Sequence, residues 1–482
     1  MAKLKYIVKQ LSVDEFEAIY HSLLDTNAEK SAMLLKLMRD KHLSDAKIME
    51  ELEVNANAYY TLRSRLNQRI EEYLLQQMEN PRADILKKVA NINEIIFTKK
   101  KAIAIATLKK LEKELLDYDL SNELITVYKL LKKFHIHAAD YFNYSQSYNR
   151  HVAYTLAVDK AEDLLADYFK KYGHYSLLGE YERSDLELTL LNREINNVCS
   201  LYESHRLFVY QSLINIFHRL FVNKDDNLEM QLEPIEDIID KVENVIHLYQ
   251  LDSLYYHLQT VFEFLKLEYY NHYRVYRKAE EYYGSVNESI ATLLTNYSLF
   301  TFPSQFLITK ILRHIRMETQ DQMQAEDDAL FNGFESDVND IPNHLIYVSY
   351  RALSCYYAKK YDEASKWLNQ LLNEVSFKRY PYAQLEIKIL LAFIYCLNEE
   401  FELFQQLMNS IQRQIRLIGK KNCEHLFLYS KILKISVSNS QKNKYTKIKS
   451  LAEKINQFKF IPFAPTLLIH FDDKLISRLT SI

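Results

Sequence analysis

The sequence predicts an all-α protein made of amphipathic helix pairs, and three observations carry this prediction. The 482 residues include only 5 Gly and 7 Pro, whereas β-hairpins and sharp loops depend on Gly at positive φ. Apolar residues recur at spacings of three and four along most of the chain, which is the period of one helix face. Between Leu345 and Arg416, two consecutive helical hairpins have a similar layout. A repeat of helical hairpins is therefore expected in this part of the chain.

The first hairpin of this stretch consists of two amphipathic helices joined by a short polar break. One face of its first helix holds Tyr350, Leu353, Ser354 and Tyr357. One face of its second helix holds Tyr361, Ala364, Leu368 and Leu371. The small residues Ser354 and Ala364 are expected to let the two helices cross closely, because larger side chains would hold them apart.

The second hairpin repeats this order after Pro381, which can begin a helix because its missing N–H costs nothing at that position. Its apolar faces hold Leu391, Ala392, Tyr395, Phe401, Met408 and Ile411. Both hairpins resemble tetratricopeptide repeats, which have small residues where the two helices cross. A weaker copy lies upstream and contains Phe262, Leu265, Tyr269, Tyr276, Ala279 and Tyr283.

The resemblance has departures. Phe404 stands where Ala is usual, and Leu371 stands where a small residue is usual. The equivalent residues Tyr361 and Phe401 are 40 positions apart, whereas the usual period is about 34. An irregular all-helical fold is the alternative to a tetratricopeptide-like repeat.

The resemblance implies a right-handed superhelix preceded by a small helical N-terminal domain. It also implies a concave groove, formed by the first helix of each pair, that binds a protein or a peptide. By this resemblance the groove residues are Glu263, Leu267, Tyr270, Arg351, Cys355, Ile389 and Phe393. The alternative is that the apolar members of this set are buried between repeats.

A different pattern lies near the N-terminus, where a short helix from Asp45 to Leu52 is followed by a turn and a longer helix beginning at Ala56. Asn55 is expected to cap the longer helix. This order resembles the helix-turn-helix of sigma factors and response regulators, whose second helix enters the DNA major groove. The resemblance implies DNA contacts by Asn57, Arg63, Arg65 and Arg69. Its expected core is Ile48, Leu52, Val54, Tyr59 and Leu62.

The charge of this segment leaves its role open. Positions 41–80 hold five Lys and Arg against seven acids, and a DNA-binding unit usually has a clearer basic surplus. Glu53 stands where Gly is usual, and Met49 stands where Ala is usual. The alternative is a helix pair that serves only packing or dimerisation.

Composition shifts divide the chain into four expected segments. These are an N-terminal helical domain (1–80), degenerate helical repeats (81–317), an acidic loop (318–343), and tetratricopeptide-like hairpins with basic C-terminal helices (344–482). The acidic loop is expected to be solvated and mobile, because residues 318–340 contain eight acids and no Lys or Arg. A helix break is expected from Gly173 to Gly179. Residues 458–471 are expected to form an extended tail packed on the final helix.

Several function classes receive no support. The net charge of −3 gives no global case for nucleic acid or an acidic membrane surface. No stretch approaches the ~20 apolar residues of a membrane span. The five glycines cannot form phosphate-cradling motifs, and the sequence contains no H-E-x-x-H. The four cysteines are far apart and are typical of reduced thiols in a cytoplasmic protein. No catalytic residue, cofactor or metal is therefore expected.

Three functions remain as hypotheses, the third being an enzyme whose carboxylates assemble across helices. The first is a cytoplasmic, non-enzymatic scaffold that binds a protein or peptide partner in a concave groove. The second is a DNA-binding transcriptional regulator, in which residues 55–69 contact DNA and the repeats sense a ligand or mediate dimerisation. The sequence leaves the oligomeric state and the identity of the partner open.

Overall fold

A computed structural model describes residues 4, 8, 11, 13–26, 28–40, 45–77, 81–179, 185–223, 232–248, 253–438, 443–458 and 461–482. Within these residues every regular element is helical, which confirms the predicted all-α class. The chain forms two compact units, Met1–Ser145 and Gln146–Ile482. They divide the chain differently from the four expected segments, which stay a prediction.

The first unit is a helical array with its own apolar core. Its core includes the fully buried side chains of Leu34, Ile48, Tyr59 and Leu66. Its helices are α1 (Val13–Asp25), α2 (Glu29–Asp40), α3 (Asp45–Glu51), α4 (Ala56–Gln77), α5 (Pro81–Ala90), α6 (Ile92–Thr98), α7 (Lys101–Asp117) and α8 (Ser121–Phe134).

The second unit contains the longer array of helices and one continuous core. Helix α9 (Asp140–Ser176) contains the boundary between the units. The following helices are α10 (Leu186–Cys199), α11 (His205–Phe221), α12 (Ile235–Leu248), α13 (Ser253–His272), α14 (Tyr276–Asn296), α15 (Gln305–Met317), α16 (Met323–Leu330), α17 (Ile341–Tyr357), α18 (Tyr361–Glu374), α19 (Pro381–Leu397), α20 (Phe401–Ile418), α21 (Glu424–Ser436), α22 (Lys444–Ile455) and α23 (Asp473–Ser481). Short 3-10 turns occur at Gln320–Gln322, Phe377–Arg379 and Pro465–Leu468.

Consecutive helices pack as antiparallel pairs, and four pairs share one turn. In α7/α8, α13/α14, α17/α18 and α19/α20, a non-glycine residue adopts left-handed φ angles of 50° to 61° two positions before the second helix. The next backbone N–H then donates to the carbonyl five residues back, which closes the first helix. These donor–acceptor pairs are Leu120–Leu115 (3.0 Å), Val275–Tyr270 (2.8 Å), Lys360–Cys355 (2.9 Å) and Glu400–Tyr395 (3.0 Å). One supersecondary unit is thus used repeatedly.

The sequence predicted the hairpins of the second unit well. Helices α14, α18 and α20 begin at Tyr276, Tyr361 and Phe401, as the repeat pattern indicated. Ser354 and Ala364 are fully buried, as small residues at a close helix crossing must be. The helical pairs are therefore confirmed, whereas the right-handed superhelix stays a prediction.

The prediction of a mobile acidic loop is wrong for the central part of that segment. Residues 323–330 form α16, and the carboxylate of Asp327 is completely buried. The reason is local pairing, because Lys310, Tyr350 and Ser354 supply donors to this carboxylate. A high density of acidic residues predicts a solvated loop only when no hydrogen-bond donors on neighbouring helices can compensate for the burial of one carboxylate.

The break expected from Gly173 to Gly179 begins later than predicted, because α9 continues through Gly173 to Ser176 and only residues 177–179 are non-helical. Gly173 does not reverse the chain; its lack of a side chain lets Phe302 and Pro342 pack closely against α9. A Cβ atom at this position would lie 2.9 Å from Phe302 Cε2 and 3.0 Å from Pro342 Cβ.

Gly173→Ala is therefore expected to destabilise the protein. Overpacking a core costs about 1–3 kcal/mol, and the gain in helix propensity of about 1 kcal/mol offsets only part of it. Gly284→Ala in α14 is the matched control, because a Cβ atom there meets nothing within 4 Å. It should stabilise the protein by about 0.5–1 kcal/mol. Urea denaturation of both variants gives the sign of each change in the free energy of unfolding. Equal stabilisation by the two substitutions would contradict the close packing at Gly173.

Candidate functional site

The chain's own C-terminal segment, residues 461–471, lies against three helices of the second unit. Its 3-10 turn packs on α15, α17 and α19, of which α17 and α19 each come first in a helix pair. We call this side of the three helices the first-helix face. The sequence predicted this stretch to pack on the final helix. It crosses several earlier helices instead, because they carry the polar partners for its backbone and side chains.

The carboxylate of Glu386 in α19 is the main anchor for the segment. Its Oε2 accepts hydrogen bonds from the hydroxyl of Thr466 at 2.8 Å and from the backbone N–H of Thr466 at 3.4 Å. Its Oε1 lies 2.6 Å from His425 Nε2 and accepts from the Tyr382 hydroxyl at 3.0 Å. Glu386 is fully buried, so these donors replace its lost hydration.

The burial of Glu386 follows from the composition of its helix. Helix α19 has apolar residues on every side, and such a helix is buried all round. Glu386 is its only acid, with Lys388 its only strongly basic residue. A single acid in such a helix was the sequence signal for this site, and sequence reasoning missed it.

Further contacts hold the segment and the last helix at both ends. The hydroxyl of Tyr357 donates to the Leu468 carbonyl at 2.6 Å. In α23, Arg478 donates to the Leu397 carbonyl at 3.3 Å and hydrogen-bonds the Tyr361 hydroxyl. An aromatic ladder connects successive first helices to the segment through Tyr356–Phe393 (5.3 Å), Phe393–Tyr429 (5.8 Å) and Tyr429–Phe471 (5.0 Å), measured between ring centroids.

The predicted groove residues of the two main hairpins do not line an open groove. Arg351, Cys355, Ile389 and Phe393 are all buried. Arg351 pairs with Asp328 at 3.0 Å and donates to the Tyr347 hydroxyl at 3.3 Å. These side chains fill the spaces between helices, and partner binding by them stays a prediction.

The weaker upstream repeat gives a mixed result. Leu267 is buried, whereas Glu263 and Tyr270 are partly exposed. Glu263 accepts a hydrogen bond from Ser285 at 2.5 Å. The ring of Tyr270 stacks on that of Tyr282 with 6.0 Å between centroids. Partner binding by Glu263 and Tyr270 stays a prediction.

A second buried carboxylate, Asp327, joins α15, α16 and α17. Lys310 Nζ lies 3.1 Å from Asp327 Oδ1, and the hydroxyls of Tyr350 and Ser354 donate to Asp327 at 2.6 and 2.7 Å. Burial raises the pKa of Tyr350 well above its usual value, so this hydroxyl keeps its proton and donates. Each of these side chains hydrogen-bonds or ion-pairs with another member of the cluster. We therefore interpret the cluster as a structural element that holds the three helices together.

The four cysteines are all buried. Burial raises the pKa of Cys199, Cys355 and Cys423 to about 11 and that of Cys396 to about 12. Each thiol is therefore protonated at neutral pH and is a poor nucleophile.

A polar cavity of about 500 Å³ lies where α9 approaches the start of α17. Its charged lining includes Asp167, Lys170, His174, Asp337 and Asp340. Burial, together with the charge of Lys170, lowers the pKa of His174. Charges of both signs line this cavity, and they favour no single class of ligand.

The N-terminal helix pair has the expected local structure. The Asn55 side chain caps α4 by accepting a hydrogen bond from Ala58 N at 2.9 Å. Glu53 adopts a φ of 50° in the turn, which is the conformation that favours the glycine usual there. The expected core residues Ile48, Leu52 and Tyr59 are buried. Val54 and Leu62 pack partly buried against them.

The predicted DNA-contacting residues of this pair are only partly open to solvent. Arg65 is exposed, whereas Arg63 and Arg69 are half-buried, and the guanidinium of Arg63 lies 5.6 Å from the ring centroid of Tyr59. The side chain of Asn57 lies outside the described residues. DNA binding by this pair stays a prediction.

Comparison with protein families, with curated proteins and with solved structures finds no match to this chain. Among the described residues, no helix combines the length and apolar character needed to cross a membrane. The functional argument therefore depends on the geometry of the second unit.

Lys310→Met is expected to destabilise the protein by about 3–5 kcal/mol, because it leaves the Asp327 charge buried without its cation. Lys160→Met is the matched control, since the Lys160–Glu194 pair is half exposed on both sides. Exposed pairs contribute about 0–1 kcal/mol. Guanidinium denaturation measures both variants, and similar small losses would show that the buried pair is not a structural requirement.

Glu268 in α13 is expected to make stability depend on pH. Burial raises its pKa to about 7, although Thr309 donates to it at 3.0 Å. A raised carboxyl pKa means that the folded state holds a proton more tightly than the unfolded state. Its contribution to stability is therefore greatest at low pH and declines as pH rises from about 4.5 to 7.

Glu268→Gln should remove this decline and stabilise the protein at pH 8 by up to about 3 kcal/mol, with little effect at pH 4.5. Glu281→Gln, at an exposed position of α14, is the control. Denaturation midpoints at both pH values provide the comparison. A Glu268→Gln variant with the same pH profile as the wild-type protein would contradict this assignment.

Proposed function

We propose that this is a cytoplasmic, non-enzymatic helical scaffold that binds an extended segment of a partner protein on its first-helix face. The observation that carries the proposal is the seating of residues 461–471 on that face. A surface that already holds one extended segment has suitable shape and hydrogen-bond acceptors for another. The partner segment takes the place of the chain's own segment.

The contacts of the C-terminal segment indicate the chemistry of the partner. Thr466 presents both its hydroxyl and its backbone N–H to Glu386 Oε2. Large apolar side chains flank it, and the Leu468 carbonyl accepts from Tyr357. The proposed partner therefore carries a hydroxyl residue followed by apolar residues, in a short turn.

The alternative function is DNA binding by the N-terminal helix pair. The Asn55 cap and the turn at Glu53 favour it, because both are features of the helix-turn-helix pattern. One experiment distinguishes a nucleic-acid partner from a protein partner, because nuclease removes only the nucleic acid.

The test is affinity purification of the tagged full-length protein from native lysate, with and without nuclease. Thr466→Val should raise partner recovery by at least about threefold, because it removes a hydrogen bond to a charged group from the competing segment. Adding Glu386→Gln to Thr466→Val should reduce that gain, since the partner then lacks the same acceptor.

Thr295→Val is the matched control, because Thr295 is exposed in α14 and its hydroxyl bonds only within its own helix. It should leave partner recovery unchanged. Absence of a stoichiometric partner under every condition, or equal recovery from the Thr466 and Thr295 variants, would refute the proposal. Recovery that disappears with nuclease would favour DNA binding instead.

A further inference from the structure

An apolar cavity of about 240 Å³ lies between the C-terminal segment and helices α15 and α17. Residues from α15 and α17 form one wall, and residues 458 and 461–468 contribute to the other. The lining residues are Ile308, Ile311, Leu312, Ile346, Ser349, Tyr350, Leu353, Phe458, Ile461, Phe463, Ala464, Pro465, Leu467 and Leu468.

Among the described residues that line this cavity, the side chains offer hydrocarbon and no available polar group. Within that lining, Ser349 and Tyr350 carry the polar side-chain atoms, and both are already engaged. Ser349 Oγ donates to the Leu345 carbonyl at 2.7 Å, and the Tyr350 hydroxyl donates to Asp327 at 2.6 Å. A charged or strongly polar ligand would lose its hydration there without replacement.

The geometry also explains why the two walls stay apart. The wall formed by the segment is fixed by the Thr466–Glu386 bonds on one side and by the Tyr357–Leu468 bond on the other. Pro462 and Pro465 restrict the backbone that leads into these anchors. Protein interiors otherwise close to high packing density, and an unfilled apolar cavity costs stability. The anchors thus maintain a space that a ligand can fill.

We propose that this cavity is a binding site for an uncharged hydrocarbon group. A cavity of roughly 150 Å³ lined by Leu, Ile and Phe is large enough for benzene. The larger volume here suits an aromatic ring with a short alkyl chain, or a short acyl chain. This inference concerns the purified chain with its segment in place, and it does not depend on a protein partner.

The test measures thermal unfolding and methyl NMR spectra of the full-length protein with n-butylbenzene and, separately, with sodium octanoate. The first probe is a free hydrocarbon, and the second is a chain attached to a charged head group. Saturating n-butylbenzene should raise Tm by about 2 °C or more, because it binds only the folded state. Methyl shifts should be confined to lining residues such as Ile308 and Ile346. Octanoate binding as well would extend the site to amphiphile tails, whereas its failure would restrict the site to free hydrocarbons.

Leu312→Trp should abolish both effects by filling the cavity mouth, since Leu312 is 44% exposed and a larger side chain there leaves the core intact. Leu417→Trp is the matched control on α20, at a position 86% exposed and outside the lining. No saturable response to either probe would overturn the proposal. So would equal responses from the two tryptophan variants, because binding would then lie elsewhere.

Discussion

The arrangement of the second unit depends on the burial of one carboxylate, that of Glu386. A buried charge is costly unless donors surround it, and here the donors come from three parts of the chain: Tyr382 on the same helix, His425 on α21, and Thr466 near the C-terminus. Helix α19 can be central because its remaining surface is almost entirely apolar. The same carboxylate brings residues 80 positions apart into contact and fixes the path of the C-terminal segment.

Asp327 performs a similar role one helix pair earlier. Apolar burial drives the helices together, but it is not directional, so it tolerates small shifts between neighbours. The donors Lys310, Tyr350 and Ser354 are on two different helices and reach Asp327 only in one arrangement. We interpret the two buried carboxylates as the elements that set the relative positions of α15 to α21. The first-helix face, with its bound segment and apolar cavity, follows from those positions.

The local structure was largely predictable from the sequence, because helix faces and starts follow from spacing. Tyr361 and Phe401 begin helices as expected, and Ser354 and Ala364 are buried as expected. The candidate site was not predictable in the same way. Whether Asp327 lies in a solvated loop or a core depends on donors from other helices, which periodicity does not reveal. The shared left-handed turn was also hidden, since Arg274, Lys359 and Glu399 occupy it instead of glycine. Cys355 and Phe393, predicted to line a groove, are buried, because periodicity does not reveal how closely consecutive pairs pack.

The most direct test of the central claim is a double-mutant cycle of stability with Glu386→Gln and Thr466→Val. If Glu386 anchors the C-terminal segment through Thr466, the two substitutions should be coupled by about 1–3 kcal/mol in the free energy of unfolding. The account predicts that the double variant loses clearly less than the sum of the single variants. Additivity within about 0.5 kcal/mol would contradict it, because the segment would then be held by other contacts.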